Sequence, residues 1–207
     1  MKLLARGVLL LDAPPLIGFN VYLVDDVLFD TGSRYSAPRI LRQLGGRPVS
    51  AVALSHVHPD HCGGAAEVCE ALDVPLWCGD ADADAMESGS PNYQRSGIAN
   101  RFAGRLWCGP GHPVARRLRE GDAVGSFTVL ETPGHTPGHI ALWREHDRVL
   151  LAGEVRQTLA NLTPGVNLPP QKSLWTGDPA RNRVSAERLE ALRPRLSLFA
   201  HGPPVRA

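Results

Sequence analysis

One stretch of the chain, SHVHPDHCGG from Ser55 to Gly64, concentrates side chains that bind metal ions. It places His56, His58, Asp60 and His61 within six residues. Imidazole nitrogens and carboxylate oxygens are the donors that hold zinc, iron and manganese in hydrolytic sites. Three histidines and an aspartate at this spacing are unusual in a turn that is merely exposed to solvent. The stretch therefore predicts a metal site.

The segments on either side of this stretch predict how its side chains converge. Val49 to Ser55 is short and apolar, which indicates a buried strand, and Gly63 to Leu72 has the pattern of a helix. Pro59 restricts the turn between them, and Gly63 and Gly64 allow the backbone to approach closely. The polar residues are thus expected on a strand-to-helix turn.

Four further segments carry polar residues at the ends of apolar runs. They are LFDTG at Leu28 to Gly32, TPGHTPGH at Thr132 to His139, AGE at Ala152 to Glu154, and AHG at Ala200 to Gly202. Together with the His-x-His-x-Asp-His stretch, and in this order, they resemble the signatures of the metallo-β-lactamase fold superfamily. Among its subfamilies the chain is most similar to glyoxalase II-like hydrolases, without their C-terminal helical domain. The ordered set covers nearly the whole chain and is more specific than any one motif.

The resemblance implies an α/β fold, the αββα four-layer sandwich of two mixed β-sheets flanked by helices, as a single domain over residues 1–207. The local patterns predict a strand at Leu3 to Leu11, a hairpin of Asn20 to Val24 with Val27 to Asp30, and a helix at Ser36 to Leu44. They further predict strands at Val74 to Cys78, Phe127 to Glu131, His139 to Arg144, Arg148 to Ala152 and Leu196 to Phe199, and a helix at Asp178 to Leu192.

The resemblance also implies two divalent metal ions, zinc in the first place, with iron or manganese as alternatives. Their ligands would be three histidines for one ion, an aspartate and two histidines for the other, and a glutamate that bridges them. These are, in that order, His56, His58 and His135; Asp60, His61 and His201; and Glu154. Each of them lies at or just past the end of an apolar strand, where loops of one rim would meet.

Glu154 departs from the family pattern, which usually has aspartate at this position. The longer carboxylate could bridge both ions, bind one of them only, or leave the second site weak. His139 begins a strand and is interpreted as a supporting or packing residue. Asp30 either supports a metal-binding histidine or caps the turn that follows it. Asp178 precedes a helix and is interpreted as its N-cap.

Three other segments allow weaker interpretations. Asp80 to Ser88 predicts a short helix, and its alternating aspartates lack the glycine and distal glutamate of a calcium loop, so they are expected to be solvated. Pro91 to Arg105 is either a border of the substrate cleft, as the resemblance implies, or a surface helix. The long loop Asn161 to Trp175 follows Glu154 and is expected to form a wall of the cleft.

Composition excludes several classes of protein. The 207 residues are 43% hydrophobic and 21% charged, with a net charge of +1, so there is no basic field of the kind that binds nucleic acid. No apolar run approaches the ~20 residues of a membrane span, and no targeting segment is convincing, so a cytoplasmic location is expected. The four cysteines lack zinc-finger spacing and are expected to be free thiols.

The predicted function is hydrolysis of a small ester, thioester, lactone or related molecule by a metal-bound hydroxide. Asp60 would be the catalytic carboxylate that orients this nucleophile and passes its proton to the leaving group. The alternatives are a mononuclear iron oxidoreductase of the persulfide dioxygenase type and, with less support, a phosphodiesterase or nuclease. The partner is expected to be a small-molecule substrate, and the sequence does not define an oligomeric state.

Overall fold

The computed structural model describes residues 1–11, 18–90, 108–156 and 176–207. Within these ranges the strands form two sheets. The first contains seven strands, Lys2–Ala5 (β1), Val8–Leu11 (β2), Val21–Val24 (β3), Val27–Phe29 (β4), Ala51–Leu54 (β5), Leu76–Gly79 (β6) and Val114–Leu118 (β7). The second contains six strands, Ala123–Val124 (β8), Phe127–Glu131 (β9), Ile140–Arg144 (β10), Val149–Leu151 (β11), Leu196–Leu198 (β12) and Val205–Arg206 (β13).

Both sheets are mixed. In the first, the order follows the sequence from β1 to β7, with antiparallel pairs up to β4 and parallel pairs from β4 to β7. In the second, the order is β13-β12-β11-β10-β9-β8, and only β11 and β12 pair in parallel. The parallel pairs bring several strand ends to the same edge, which is where loops that bear ligands can meet.

Helices pack on the outer face of each sheet. They are Ala37–Leu44 (α1), Pro59–Cys62 (α2), Ala65–Leu72 (α3), Ala83–Glu87 (α4) and Pro179–Ala191 (α5), with a 3₁₀ turn at Asp80–Asp82 before α4. None of the helices in the described ranges is both long and apolar enough to cross a membrane.

Alternation along the central strands builds three apolar layers. In β5, Val52 and Leu54 face the layer under α1 and α3, whereas Ala51 and Ala53 face the layer between the sheets. A third layer joins the second sheet to α5, where Leu189 packs with residues of β10 and β11. Since a strand has a period of two, one short apolar run can supply both of its faces. The predicted αββα sandwich of two mixed sheets is therefore confirmed.

Most predicted elements lie where the sequence places them, but the strand predicted at the N-terminus differs. The stretch Leu3 to Leu11 is not one strand but the antiparallel pair β1 and β2, which is joined by a turn at Arg6 and Gly7. Gly7 has a φ of 69°, and a Cβ atom there would overlap a carboxylate oxygen of Asp25. Apolar residues on both sides of Arg6 and Gly7 favoured one continuous strand, although this Arg-Gly pair was the signal of a turn.

All four cysteines are free and buried, as predicted for the thiols. Burial and the neighbouring Cys108 thiol raise the pKa of Cys62 well above its ordinary value, with the hydrogen bond to Cys108 as the largest cause. Although Cys62 follows His61 directly, it therefore stays a protonated, packed side chain.

Candidate metal centre

The predicted ligands lie on loops at one rim of the sandwich. His56 and His58 follow β5, His135 follows β9, Glu154 follows β11 and His201 follows β12. Backbone hydrogen bonds join these loops across the two sheets. The N–H of Ile140 donates to the carbonyl of Ser55 at 2.8 Å, and the N–H of Ala200 donates to the carbonyl of Gly153 at 3.0 Å.

Cluster one consists of His56, His58, His135 and Glu154, all of which are buried. One ligand atom from each of the four lies within 4.8 Å of the others. The three ring centroids are 4.6–4.7 Å apart. His58 turns Nδ1 inward, 3.2 Å from Nε2 of His56 and 3.0 Å from Nε2 of His135. The three imidazoles therefore surround one common point.

Cluster two consists of Asp60, His61, Glu154 and His201, whose ligand atoms also lie within 4.8 Å of one another. Oδ2 of Asp60 is 3.3 Å from Nε2 of His61 and 3.3 Å from Nε2 of His201. Asp60 and His201 are half-buried, with 30% and 24% of their side chains exposed. Cluster two is therefore the side of the centre that solvent reaches.

Glu154 belongs to both clusters through different oxygen atoms. Its Oε2 is 2.5 Å from Nε2 of His135 and 3.7 Å from Nε2 of His56. Its Oε1 is 2.5 Å from Nε2 of His201 and 3.9 Å from Nε2 of His61. The additional methylene relative to aspartate thus places one carboxylate oxygen in each cluster.

The backbone beneath Glu154 is held by His139, which lies in neither cluster. Nε2 of His139 accepts a hydrogen bond from the backbone N–H of Glu154 at 3.0 Å, so Nδ1 is the protonated nitrogen and donates to Oγ1 of Thr132 at 2.8 Å. A Cβ atom on Gly153, whose φ is 56°, would overlap the ring of His139. This glycine lets Glu154 approach the centre, and the supporting position predicted for His139 agrees with this geometry.

Asp30 contacts His61 of cluster two on the side of the ring opposite to the other ligands. Its Oδ2 lies 3.2 Å from Nδ1 of His61 and accepts from the hydroxyl of Ser55 at 2.8 Å, and its Oδ1 accepts from the backbone N–H of Ser55 at 2.7 Å. Asp30 has a φ of 65°, a left-handed conformation that aspartate tolerates better than most residues. Of the two interpretations of Asp30, the structure favours support of a histidine.

Burial sets the protonation of cluster one. Desolvation lowers the pKa of His56 well below its ordinary value and, together with the neighbouring His135, lowers the pKa of His58 to about 3. These imidazoles are therefore neutral at neutral pH. A neutral imidazole is the form that binds a metal ion.

Charge pairing sets the protonation of cluster two. Burial alone would lower the pKa of His201, but hydrogen bonds to Asp60 and Glu154 raise it to about 9. Burial would likewise lower the pKa of His61, yet Asp60 and Asp30 hold it well above its ordinary value. The carboxyl of Asp60 has the opposite shift, because His61 and His201 lower its pKa against the effect of burial.

The two clusters fit divalent metal ions by their donor chemistry. Three imidazoles with a carboxylate, and two imidazoles with two carboxylates, are the nitrogen and oxygen sets that zinc, iron and manganese accept. The buried Nε2 of His61 makes no hydrogen bond in the described part of the chain, although Oδ2 of Asp60 lies 3.3 Å away. A buried nitrogen left in this way indicates a partner other than protein.

Some residues around the centre were missed by sequence reasoning. The hydroxyl of Ser55 lies 3.0 Å from Nδ1 of His56, and the hydroxyl of Thr176 lies 3.2 Å from Nδ1 of His135. The expectation that the Asp80, Asp82 and Asp84 side chains are solvated is wrong for Asp82, which is fully buried. Its position just after an apolar strand was the available signal. The segments Pro91 to Arg105 and Asn161 to Trp175 lie outside the described residues.

The four-layer fold and the paired His and carboxylate clusters define a metallo-hydrolase. The family model described as the metallo-beta-lactamase superfamily matches residues 18–201, and the chain belongs to that superfamily.

Relatives agree with this assignment. The chain is 26% identical over 200 residues to YybB of Bacillus subtilis, named a probable metallo-hydrolase, in an alignment that covers 94% of this chain and 86% of that protein. It is 32% identical over 111 residues to a hydroxyacylglutathione hydrolase of Bdellovibrio bacteriovorus, which covers 52% of this chain and 34% of that protein. Among solved structures it resembles TTHA1623 in a di-iron-bound form, with a TM-score of 0.72, 30% identity, and coverage of 96% of this chain and 94% of that one.

Proposed function

We propose that the protein hydrolyses a small acyl compound, a thioester in the first place and an ester or lactone otherwise, with two divalent metal ions. The observation that carries this proposal is the placement of one Glu154 oxygen in each ligand cluster. A carboxylate shared between two sets of imidazoles suits two metal ions rather than one. The hydroxyacylglutathione hydrolase of Bdellovibrio bacteriovorus, similar over 52% of this chain, supports the choice of an acylated thiol.

Each cluster would hold one ion through its own side chains, cluster one through His56, His58 and His135, and cluster two through Asp60, His61 and His201, with Glu154 between them. Two such metal ions would supply Lewis acidity, which polarises a carbonyl and lowers the pKa of water so that hydroxide is available to attack it near neutral pH.

Asp60 is the carboxylate best placed to handle a proton. It is half-buried at the open side of the centre, whereas Glu154 is buried and contacts His135 and His201 with its two oxygens. As a ligand in cluster two, Asp60 would be an ionised acceptor at neutral pH. An ionised carboxylate there can orient a water molecule and pass its proton to the departing thiol or alcohol.

The surrounding residues fix the rings that hold the ions. Asp30 contacts Nδ1 of His61, so Nε2 of that ring is directed into cluster two. Thr176 contacts Nδ1 of His135, and Nε2 of that ring is directed into cluster one. Partners of this kind typically change metal affinity by about 10- to 100-fold.

The test is a substrate panel with protein loaded with zinc, iron or manganese in parallel. It contains acylglutathione and acyl-coenzyme A thioesters, simple esters, lactones and phosphodiesters. We expect thioester hydrolysis by protein with two bound ions, and Asp60→Asn should lower kcat by at least about 100-fold in excess metal. The matched control is Asp84→Asn, an exposed aspartate, which should leave kcat unchanged.

Two results would contradict the proposal. Protein with two bound ions that cleaves only phosphodiesters would make the centre a phosphodiesterase. Protein that binds one iron and consumes oxygen with a persulfide would make it an oxygenase.

A further inference from the structure

The carboxylate of Asp82 lies between the two loops that supply the histidines of cluster one. Asp82 is fully buried. Its Oδ2 accepts hydrogen bonds from the backbone N–H of Val57 at 3.1 Å and from the hydroxyl of Thr136 at 2.6 Å. Its Oδ1 accepts from the backbone N–H of Gly138 at 2.9 Å. One side chain therefore holds both loops.

Each of these hydrogen bonds is close in sequence to a ligand. Val57 lies between His56 and His58, and Thr136 directly follows His135. His58 and His135 are 77 positions apart in the chain, yet their ring nitrogens come within 3.0 Å. Whether the three imidazoles share a common point thus depends on how far apart the two loops are held.

The backbone around Asp82 is packed as closely as glycine allows. A Cβ atom on Gly138 would overlap the backbone nitrogen of Asp82, and a Cβ atom on Gly79 would overlap the carbonyl oxygen of Gly138. The loop that bears His135 therefore rests directly on the connection from β6 to α4. Asp82 sits where that connection can reach the loop after β5 as well.

We infer that Asp82 is a positioning residue for cluster one, which sets the separation of its two loops and so its affinity for a metal ion. The inference rests on the proposed function, because it concerns the ion that cluster one would hold. The contacts of Asp30 give cluster two a separate support. Asp82 thus holds the two loops of cluster one, whereas Asp30 contacts a ring of cluster two directly.

Replacement by asparagine tests this role with almost no change in shape. Val57 and Gly138 donate to different oxygens of Asp82, and asparagine keeps only one of the two. Whichever way the amide is turned, one buried backbone N–H faces an NH₂ group. A buried donor without an acceptor is costly, so the loops are expected to move apart.

The experiment measures cobalt(II) affinity of the full chain, by chelator competition and by the visible spectrum of bound cobalt. His201→Ala disables cluster two and leaves cluster one to be measured alone, whereas His58→Ala does the reverse. We expect Asp82→Asn to lower cobalt affinity by about 10- to 100-fold in the His201→Ala protein. In the His58→Ala protein it should change the affinity by no more than about twofold.

A second pair of variants leaves the aspartate in place. Thr136→Val removes one hydrogen bond to Asp82 and should lower the cobalt affinity of cluster one. Thr136→Ser keeps the hydroxyl and should retain the affinity. Asp84→Asn, two positions along and exposed, is the control for the loss of one negative charge. This pair decides the question even if Asp82→Asn does not fold.

The outcomes separate this inference from the proposed function. Equal losses at both clusters, or an unchanged affinity in Thr136→Val, would overturn the role of Asp82 while leaving the two-metal centre intact. If the His201→Ala and His58→Ala proteins, like the wild type, bind no cobalt, the proposed function itself fails, and the role of Asp82 with it.

Discussion

Cluster one and cluster two share Glu154 but differ in their contact with water. All four members of cluster one are buried, whereas Asp60 and His201 of cluster two are half-buried. The difference separates two tasks within a single centre. A closed set of imidazoles would keep an ion away from solvent, and an open set would leave room for a water molecule and a substrate.

The protonation of the two clusters differs in the same sense. In cluster one, burial lowers the pKa of His56 and His58, so these two rings need not lose a proton before an ion binds. In cluster two, the carboxylates raise the pKa of His61 and His201, so protons occupy nitrogens that an ion would need. Near neutral pH, His56 and His58 are therefore better prepared for metal binding than His61 and His201.

Removal of a ligand from the closed cluster should have the largest effect. His58→Ala takes away the ring whose Nδ1 contacts both His56 and His135. We expect kcat/KM to fall by more than about 100-fold, because loss of a ligand should cost more than the roughly 10- to 100-fold typical of residues that only orient a ligand. Steady-state kinetics and metal content by mass spectrometry measure it, and a variant with full activity and two ions would refute cluster one as a binding site.

Removal of one oxygen of Glu154 should affect the open cluster before the closed one. Glu154→Gln leaves cluster one with three imidazoles but reduces the carboxylates of cluster two to Asp60. We expect an about 10-fold loss of affinity for the second ion, whereas Glu154→Asp, which keeps both oxygens, should retain two-metal loading. The measurement is metal stoichiometry of the three proteins loaded identically. Loading of Glu154→Gln like the wild type would show that Glu154 is not a ligand.

Asp30→Asn should lower the metal affinity of cluster two more than that of cluster one, because Asp30 contacts His61 directly and reaches His56 only through Ser55. The variant leaves an NH₂ group against either the N–H of Ser55 or Nδ1 of His61. An about tenfold loss of affinity for the second ion is expected, with a smaller loss for the first ion. Chelator competition resolves the two binding steps, and an equal loss at both would mean that Asp30 holds the fold rather than the ring.

The smallest effect is expected outside both clusters, at the start of α5. Asp178 accepts a hydrogen bond from the backbone N–H of Arg181 at 3.0 Å, which makes it the N-cap that the sequence predicted. Asp178→Ala should lower the free energy of unfolding by about 1 kcal/mol and leave metal content unchanged. Urea denaturation measures the loss, and a change in metal content would show that this helix reaches the centre.

The sequence could predict most of this centre because short apolar runs mark where strands end. His56, His135, Glu154 and His201 each follow a short apolar run, and parallel or neighbouring strands bring such ends to one edge. The grouping into two clusters came from the resemblance to the superfamily, and the geometry places each residue in the group that it implied. That these residues bind metal stays a prediction.

The elements and contacts that the sequence did not predict lack an apolar signal or act at long range. Strand β7, Val114–Leu118, carries Arg116 and Arg117 on the edge of the first sheet, so no apolar run marks it. Asp82 was expected to be solvated because its neighbours Asp80 and Asp84 are acidic too. Its burial depends on Thr136 and Gly138, more than 50 positions away, and its position after an apolar strand does not identify these partners.

If each cluster holds an ion, the carboxylate of Glu154 would make the two binding events thermodynamically dependent on each other. An ion in cluster one would fix Oε2 beside His135, and the same rotation of the side chain places Oε1 beside His201. Part of the ordering cost of cluster two is then met before its ion arrives, so the second event is favoured by the first. Because such coupling is reciprocal, an ion in cluster two would raise the affinity of cluster one for its ion by the same factor, so the solvent-facing ligands would help to retain the inaccessible ion.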